Sequence, residues 1–166
     1  MTPWNLLDLD RALRESWAPD TCSPDDLDDW RPGNPARGHC DITALIVHDV
    51  FGGSLVVGEV YLDGTQHGFH WWNRLPSGIE LDLTREQFLL GQTIGAARVV
   101  ERPAGPLPRR WDEYLLLRER VGERLGSGLP EGKRRQPSST TGPTPPSDAP
   151  SGGCTPTRTG ALLPRE

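Results

Sequence analysis

The chain is poor in sulfur, with three cysteines and a single methionine in 166 residues. Three thiols, one of them at position 154, cannot form the paired framework of a disulfide-stapled secreted domain. Each cysteine is then a small buried hydrophobe, a ligand or a nucleophile. No stretch approaches the roughly eighteen consecutive apolar residues of a membrane span. The opening Met1-Thr2-Pro3-Trp4-Asn5-Leu6-Leu7 lacks both the basic flank and the apolar core of a secretory leader. The expectation is a cytoplasmic protein without a membrane partner. Positive charge is in deficit too, with 18 Lys and Arg against 23 Asp and Glu and a formal net charge of -5. Nucleic-acid affinity rests mainly on neutralising phosphates, so no nucleic-acid partner is expected. The oligomeric state is not encoded in any feature of this kind.

What is present divides near residue 125. Beyond Gly126 the sequence is Pro, Ser, Thr, Gly, Arg and Lys with no apolar period, which cannot bury enough surface to offset its ordering entropy. Residues 126–166, with Cys154 and the basic Lys133-Arg134-Arg135, therefore read as a disordered tail. Residues 1–125 read as a single α+β domain. Leu6, Leu7, Leu9, Leu13 and Trp17 form a helical stripe that ends before Pro19. A Pro/Asp/Gly-rich loop spans 18–38. Cys40–Phe51 is a buried helix with Ile42, Leu45, Ile46 and Val50 on one face, closed by Gly52-Gly53. Strands are predicted over 54–62, near 68–75 and near 79–83, then a short helical piece around Phe88 and a Gly/Pro-broken connection. Trp111–Leu125 is a closing amphipathic helix with Arg/Glu pairs on its wet side. The architecture expected is one buried helix on a three- or four-stranded antiparallel sheet, with helices flanking it at both ends.

The segment Leu75-Pro76-Ser77-Gly78-Ile79 carries the sharpest local signal. Proline suits the first central position of a type I turn, and glycine suits the left-handed position of the bulge that follows it. A three-residue hairpin loop of this kind pairs Leu75 with Ile79, puts Asp82 across from Trp72, and leaves it one diagonal step from His70. Phe69, Trp71, Ile79, Leu81 and Leu83 then share an apolar face. His70, Trp72, Glu80, Asp82 and Thr84 share the more polar one, where a carboxylate can orient an imidazole.

Cys40 completes a candidate triad if it occupies the first turn of its helix, where unpaired N–H groups and the positive dipole end favour a thiolate. Cys40 as nucleophile, His70 as base and Asp82 as orienter is the arrangement of acyl-transfer chemistry. The Cys40 backbone N–H could donate to an oxyanion, with Asn34 or the Trp30 indole as second donor and Trp72 as a wall of the substrate groove. Asp41 works against the thiolate, because a neighbouring carboxylate raises a thiol's pKa. Each residue also has a plainer use: Cys40 as packing, His70 as an ordinary strand residue, Asp82 as a cap of the turn before Arg85. Zinc is a further use of Cys22, His39, Cys40 and His70, yet no C-x-x-C or H-x-x-x-H spacing supports a metal site, and no cofactor motif is present.

Gly38-His39-Cys40 opening a buried helix, then His70-Trp71-Trp72-Asn73 and Asp82-Leu83-Thr84 on successive strands, resembles the Cys, His, Asp order of the transglutaminase-like and papain-like cysteine enzymes. More closely, the run from Trp17 through Cys22, Trp30, Asn34-Pro35, Gly38–Leu45, Phe51-Gly52-Gly53, His70–Leu75 and Asp82–Phe88 is similar to the YunG-like family of uncharacterised bacterial proteins, over roughly residues 15–125. The closer resemblance implies no particular activity. The wider one implies a papain/transglutaminase-like core in which the cysteine begins a helix packed on the sheet that carries its partners.

The expected function is a thiol-dependent acyl-transfer or amide-hydrolysing enzyme acting on a small molecule or peptide. The first alternative is a non-catalytic binding module of the same fold for a peptide or small metabolite, and the second is a zinc-stabilised structural protein. A depressed Cys40 pKa separates the enzyme from both, and metal analysis isolates the last.

Overall fold

A computed structural model describes residues 4–103 and 109–130. The tail expected over 126–166 lies outside them from residue 131 onward. Residues 126–130 stay against the domain: Leu129 is buried in the core, and the Arg118 guanidinium donates to its carbonyl at 2.6 Å.

Helix α1 (Leu6–Ser16) begins where the expected stripe begins, because Asn5 caps it. The Asn5 side chain accepts the Leu7 and Asp8 N–H groups at 2.8 and 3.2 Å, and Asp8 returns the bond to the Asn5 N–H at 2.8 Å. This reciprocal box satisfies donors that would otherwise be orphaned. Leu9, Ala12, Leu13 and Ser16 make its buried face. Residues 18–38, expected as loop, contain two short 3-10 turns, Pro19–Thr21 and Pro24–Asp29, each opened by a proline at its first position.

Helix α2 (Cys40–Phe51) is buried along most of its length, and Gly52 and Gly53 end it with positive φ of 72° and 88°. Strands β1 (Ser54–Leu62), β2 (Thr65–Arg74), β3 (Glu80–Leu81) and β4 (Thr93–Val100) form one antiparallel sheet in the order β3-β2-β1-β4. Asp63 and Gly64 join β1 to β2 with φ of 51° and 77°, the two left-handed residues of a tight hairpin turn. Helix α3 (Trp111–Leu125) packs on α1 and α2, and α2 packs on β2. The protein is thus α+β, with the helices and Leu55 enclosing the main core. No helix among the described residues is long and apolar enough to cross a membrane.

The β2–β3 turn has the expected form. Leu75 N–H donates to Ile79 O and Gly78 N–H to Leu75 O, both at 2.8 Å, with Gly78 at φ 86°. Asn73 therefore faces Leu81 and Arg74 faces Glu80, the register that the turn residues predict.

Two features differ from the sequence expectation. Thr93–Val100, read as a broken connection, is the edge strand β4. Gly95, Ala96 and Ala97 carry no strand preference of their own, and the segment is held by pairing to β1, a long-range contact. Secondly, both faces of the β2–β3 hairpin are covered. Trp71, Leu81 and Leu83 pack against the core as expected, Phe69 and Ile79 are half exposed or more, and His70 and Trp72 on the other face are buried. The Trp72 ring lies across Gly58, where an added Cβ would come within 3.0 Å of it. One large ring shields what the expectation treated as the open side.

Gly53 ties α2 to the turn that sets the site. A Cβ there would stand 2.2 Å from the Arg74 carbonyl oxygen, at a φ that side chains avoid. Gly53→Ala should lower unfolding free energy by about 2 kcal/mol or more, seen as a lower urea midpoint at unchanged slope.

Candidate functional site

Cys40 is the first residue of α2, as expected, and the segment before it is clamped from several directions. Gly38 has φ 71°, and a Cβ there would meet the Cys22 Sγ at 2.6 Å. His39 is fully buried: its Nδ1 lies 2.9 Å from the Arg37 carbonyl and its Nε2 2.9 Å from the Thr21 hydroxyl. A carbonyl only accepts, so Nδ1 carries the proton and Nε2 accepts from Thr21. Arg110, at the start of α3, reaches over the same segment to the carbonyls of Thr21 (2.8 Å) and Gly38 (3.2 Å) and to the Asp41 carboxylate (3.3 Å).

The electrostatics of Cys40 oppose a resting thiolate. Burial pushes the thiol up to about 12 from 9.0, and the Asp41 carboxylate adds to the rise. Hydrogen bonding from the Trp71 backbone and the Gln87 side chain pulls the other way without offsetting it. Cys22 is also raised, to about 11, chiefly by burial, and its thiol donates to the Arg37 carbonyl at 3.3 Å. Both described cysteines are free thiols.

His70 and Asp82 are brought together. His70 Nε2 is 2.7 Å from Asp82 Oδ2, and the other carboxylate oxygen accepts the Thr84 N–H at 3.1 Å and its hydroxyl at 3.3 Å. Phe88 meets the imidazole edge-on at 4.6 Å between ring centroids, and Trp72 stacks on it at 5.8 Å. The second ring nitrogen is occupied by a residue that the sequence reading did not single out: Gln87 Nε2 lies 2.7 Å from His70 Nδ1.

The direction of this network can be assigned. The Gly38 N–H donates to Gln87 Oε1 at 3.4 Å, so the amide nitrogen faces His70. An amide nitrogen donates only, so Nδ1 accepts and the ring proton sits on Nε2, donated to Asp82. His70 is therefore the Nε2–H tautomer with its Nδ1 lone pair on the Gln87 side. Among the described residues no hydrogen bond joins His70 to Cys40. Gln87 contacts both.

Cys40, His70 and Gln87 line a cavity of about 580 Å³ whose wall also includes Trp71, Asp41 and Arg37. Its volume suits a small molecule or a peptide side chain. The other expected groove residues lie elsewhere. The Trp30 indole donates to Pro35 O at 3.2 Å, Asn34 Nδ2 to Gln87 O at 3.3 Å, and the Trp72 indole to Glu80 at 3.1 Å. None of the three lines the cavity. Nor do Cys22, His39, Cys40 and His70 assemble as ligands, and among the described residues no three His, Cys, Asp or Glu side chains converge as a metal site requires. Gln87 could have been found from the spacing of Asp82-Leu83-Thr84-Arg85-Glu86-Gln87, since a carboxylate-capped turn returns the chain toward the strand it left.

Comparison with known proteins places the chain in a family. Residues 5–126 match the family described as YunG protein. The chain belongs to that family. It is 32% identical over 76 residues to the protein named Uncharacterized protein YunG of Bacillus subtilis (strain 168), a match covering 46% of this chain and 56% of the relative. The chain thus spans little more than half of that relative's length. No solved structure matches.

In this YunG-family protein the clamp around Cys40 makes its own prediction. Burial depresses His39 from 6.5 to about 4. The unfolded chain takes up a proton near pH 6.5 that the folded chain refuses until about pH 4, so stability present above pH 6.5 is lost as pH falls through that window. The loss should reach about 3 kcal/mol. Urea midpoints at pH 7.5, 5.5 and 4 should converge less steeply in His39→Gln, whose side chain cannot charge. Equal pH slopes in the two proteins would rule the account out.

Proposed function

We propose that this YunG-family protein is a thiol-dependent acyl-transfer or amide-hydrolysing enzyme with Cys40 as nucleophile, His70 as base and then acid, and Asp82 as orienter. The observation that supports it is the 2.7 Å His70–Asp82 hydrogen bond in the wall of a cavity that Cys40 also lines, at the first residue of a helix. Asp82 holds the tautomer whose Nδ1 lone pair acts as the base once Gln87 gives it up. The Cys40 proton passes to His70 Nδ1 and the sulfur attacks the substrate carbonyl carbon. As the tetrahedral adduct collapses, the C–N or C–O bond breaks and the leaving amine or alcohol takes the proton from Nδ1. Water or a second amine then attacks the thioester, giving its proton to Nδ1, and the thiol departs reprotonated. The resemblance to papain-like and transglutaminase-like enzymes supports the reaction class by analogy and carries no substrate.

A second reading has its own supporting observation. The resting thiol is held up at about 12, and Gln87 stands on the nitrogen that would deprotonate it. A groove that binds a peptide or small metabolite without reacting is compatible with both.

The two separate in one experiment. The full chain is incubated with p-nitrophenyl acetate and a panel of acyl amides, and intact and peptide mass spectra are recorded. The enzyme reading expects an acyl adduct on Cys40, absent in Cys40→Ala and formed about 10² to 10⁴ times more slowly in His70→Ala. Asp82→Asn should show a smaller loss together with a changed pH profile. Reversible binding that all three variants retain, with no adduct on Cys40, would leave the binding module.

A further inference from the structure

Gln87 is neither nucleophile, base nor orienter, yet it is buried and both polar atoms of its side chain are engaged. It occupies the one His70 nitrogen that could take a proton from Cys40. Its backbone is fixed: the Gln87 N–H donates to Thr84 O at 3.0 Å, and its carbonyl accepts from Asn34 at 3.3 Å. Only the carboxamide can move, swinging from an anchored Cα inside the cavity it lines.

We propose that Gln87 is a positioning residue of the acyl-transfer site, holding His70 as the Nε2–H tautomer and withholding its Nδ1 lone pair from Cys40 until the carbonyl oxygen of a bound acyl group takes over the Gln87 amide N–H. The inference rests on the thiol-triad reading given above. The exchange conserves hydrogen bonds: the amide trades a ring nitrogen for a carbonyl oxygen, and the freed Nδ1 accepts the Cys40 S–H in its place. It also names the feature a ligand must have. A ligand without a carbonyl or equivalent acceptor beside Cys40 leaves the amide on His70 and the thiol protonated. The reactivity of Cys40 is thereby coupled to the presence of the group it attacks.

The test compares alkylation of Cys40 by 2-bromoethylamine, a probe with no carbonyl acceptor, followed on its own peptide by mass spectrometry, in the full chain at pH 7.5. Gln87→Met keeps the length of the side chain and removes the donor, and Gln87→Ala serves as a second variant. Either should alkylate about tenfold faster than the parent, the gain of one unit in thiol pKa. Adding His70→Ala should abolish the gain, and His70→Ala alone should change little. Acceleration that survives His70→Ala would mean that Gln87 merely shields the sulfur, which overturns the proposal. If His70→Ala alone slows Cys40 while the Gln87 variants do nothing, the imidazole reaches the thiol past Gln87: the positioning role fails and the triad stands. If no variant has an effect, both readings fall. Independently of any variant, a long-range ¹H–¹⁵N correlation spectrum of the parent at neutral pH should show His70 protonated on Nε2, and protonation on Nδ1 would sink the assignment.

Discussion

The His70–Asp82 hydrogen bond depends on the register of one short hairpin. Pro76-Ser77-Gly78 closes it, with Gly78 in the left-handed region that the bulge after a type I turn requires. A loop one residue shorter would move every β3 side chain to the opposite face and carry Asp82 away from His70. Strand β3 is only Glu80 and Leu81, so the chain leaves the edge of β2 just before Asp82. There the free carboxylate oxygen takes the Thr84 N–H and turns the backbone into the 3-10 turn Arg85–Gln87. That turn returns Gln87 and Phe88 to the imidazole. The imidazole, its carboxylate partner and the amide thus follow from one turn and one capping carboxylate.

The local origin of these features explains why the pairing of His70 with Asp82 was legible. Helix limits at Cys40 and Gly52 and the register of the second hairpin all rest on residues close in sequence, where steric and capping preferences act directly. Strand β4 rests only in part on local preference: Thr93, Ile94, Val99 and Val100 suit a strand, but Gly95-Ala96-Ala97 interrupts them and is held by lying beside β1. The burial of the polar face of β2 is not legible for a related reason. Alternation tells which residues share a face, but the protection of a face depends on what lies over it, and here Trp72 covers its own strand's neighbour. Trp30 and Asn34 carry polar groups of suitable type, and no spacing rule could foresee that their donors would be satisfied by Pro35 and Gln87 carbonyls.

The thiol shows competing effects whose magnitudes decide the outcome. A helix N-terminus favours an anion by about 0.3–1 kcal/mol, less than one pKa unit. Burial and the Asp41 carboxylate move Cys40 from 9.0 to about 12. The dipole loses. Position at the start of a helix is therefore a correct placement of Cys40 and does not by itself favour the thiolate.

A carboxylate beside Cys40 opposes the thiolate, and Arg110 accounts for the presence of Asp41. Burial pushes the Asp41 carboxyl up, and the guanidinium at 3.3 Å counters it. Arg110 adopts a left-handed φ of 66° at the N-cap of α3, a conformation costing of order 1–3 kcal/mol at a non-glycine residue. The same side chain bonds the carbonyls of Thr21 and Gly38, so that strain is offset by tying α3, the 3-10 turn at Pro19–Thr21 and the segment before Cys40 together. Gly38 is also the residue whose N–H orients the Gln87 amide. Arg110 is therefore linked to His70 through three successive contacts, by way of the Gly38 backbone and the Gln87 amide.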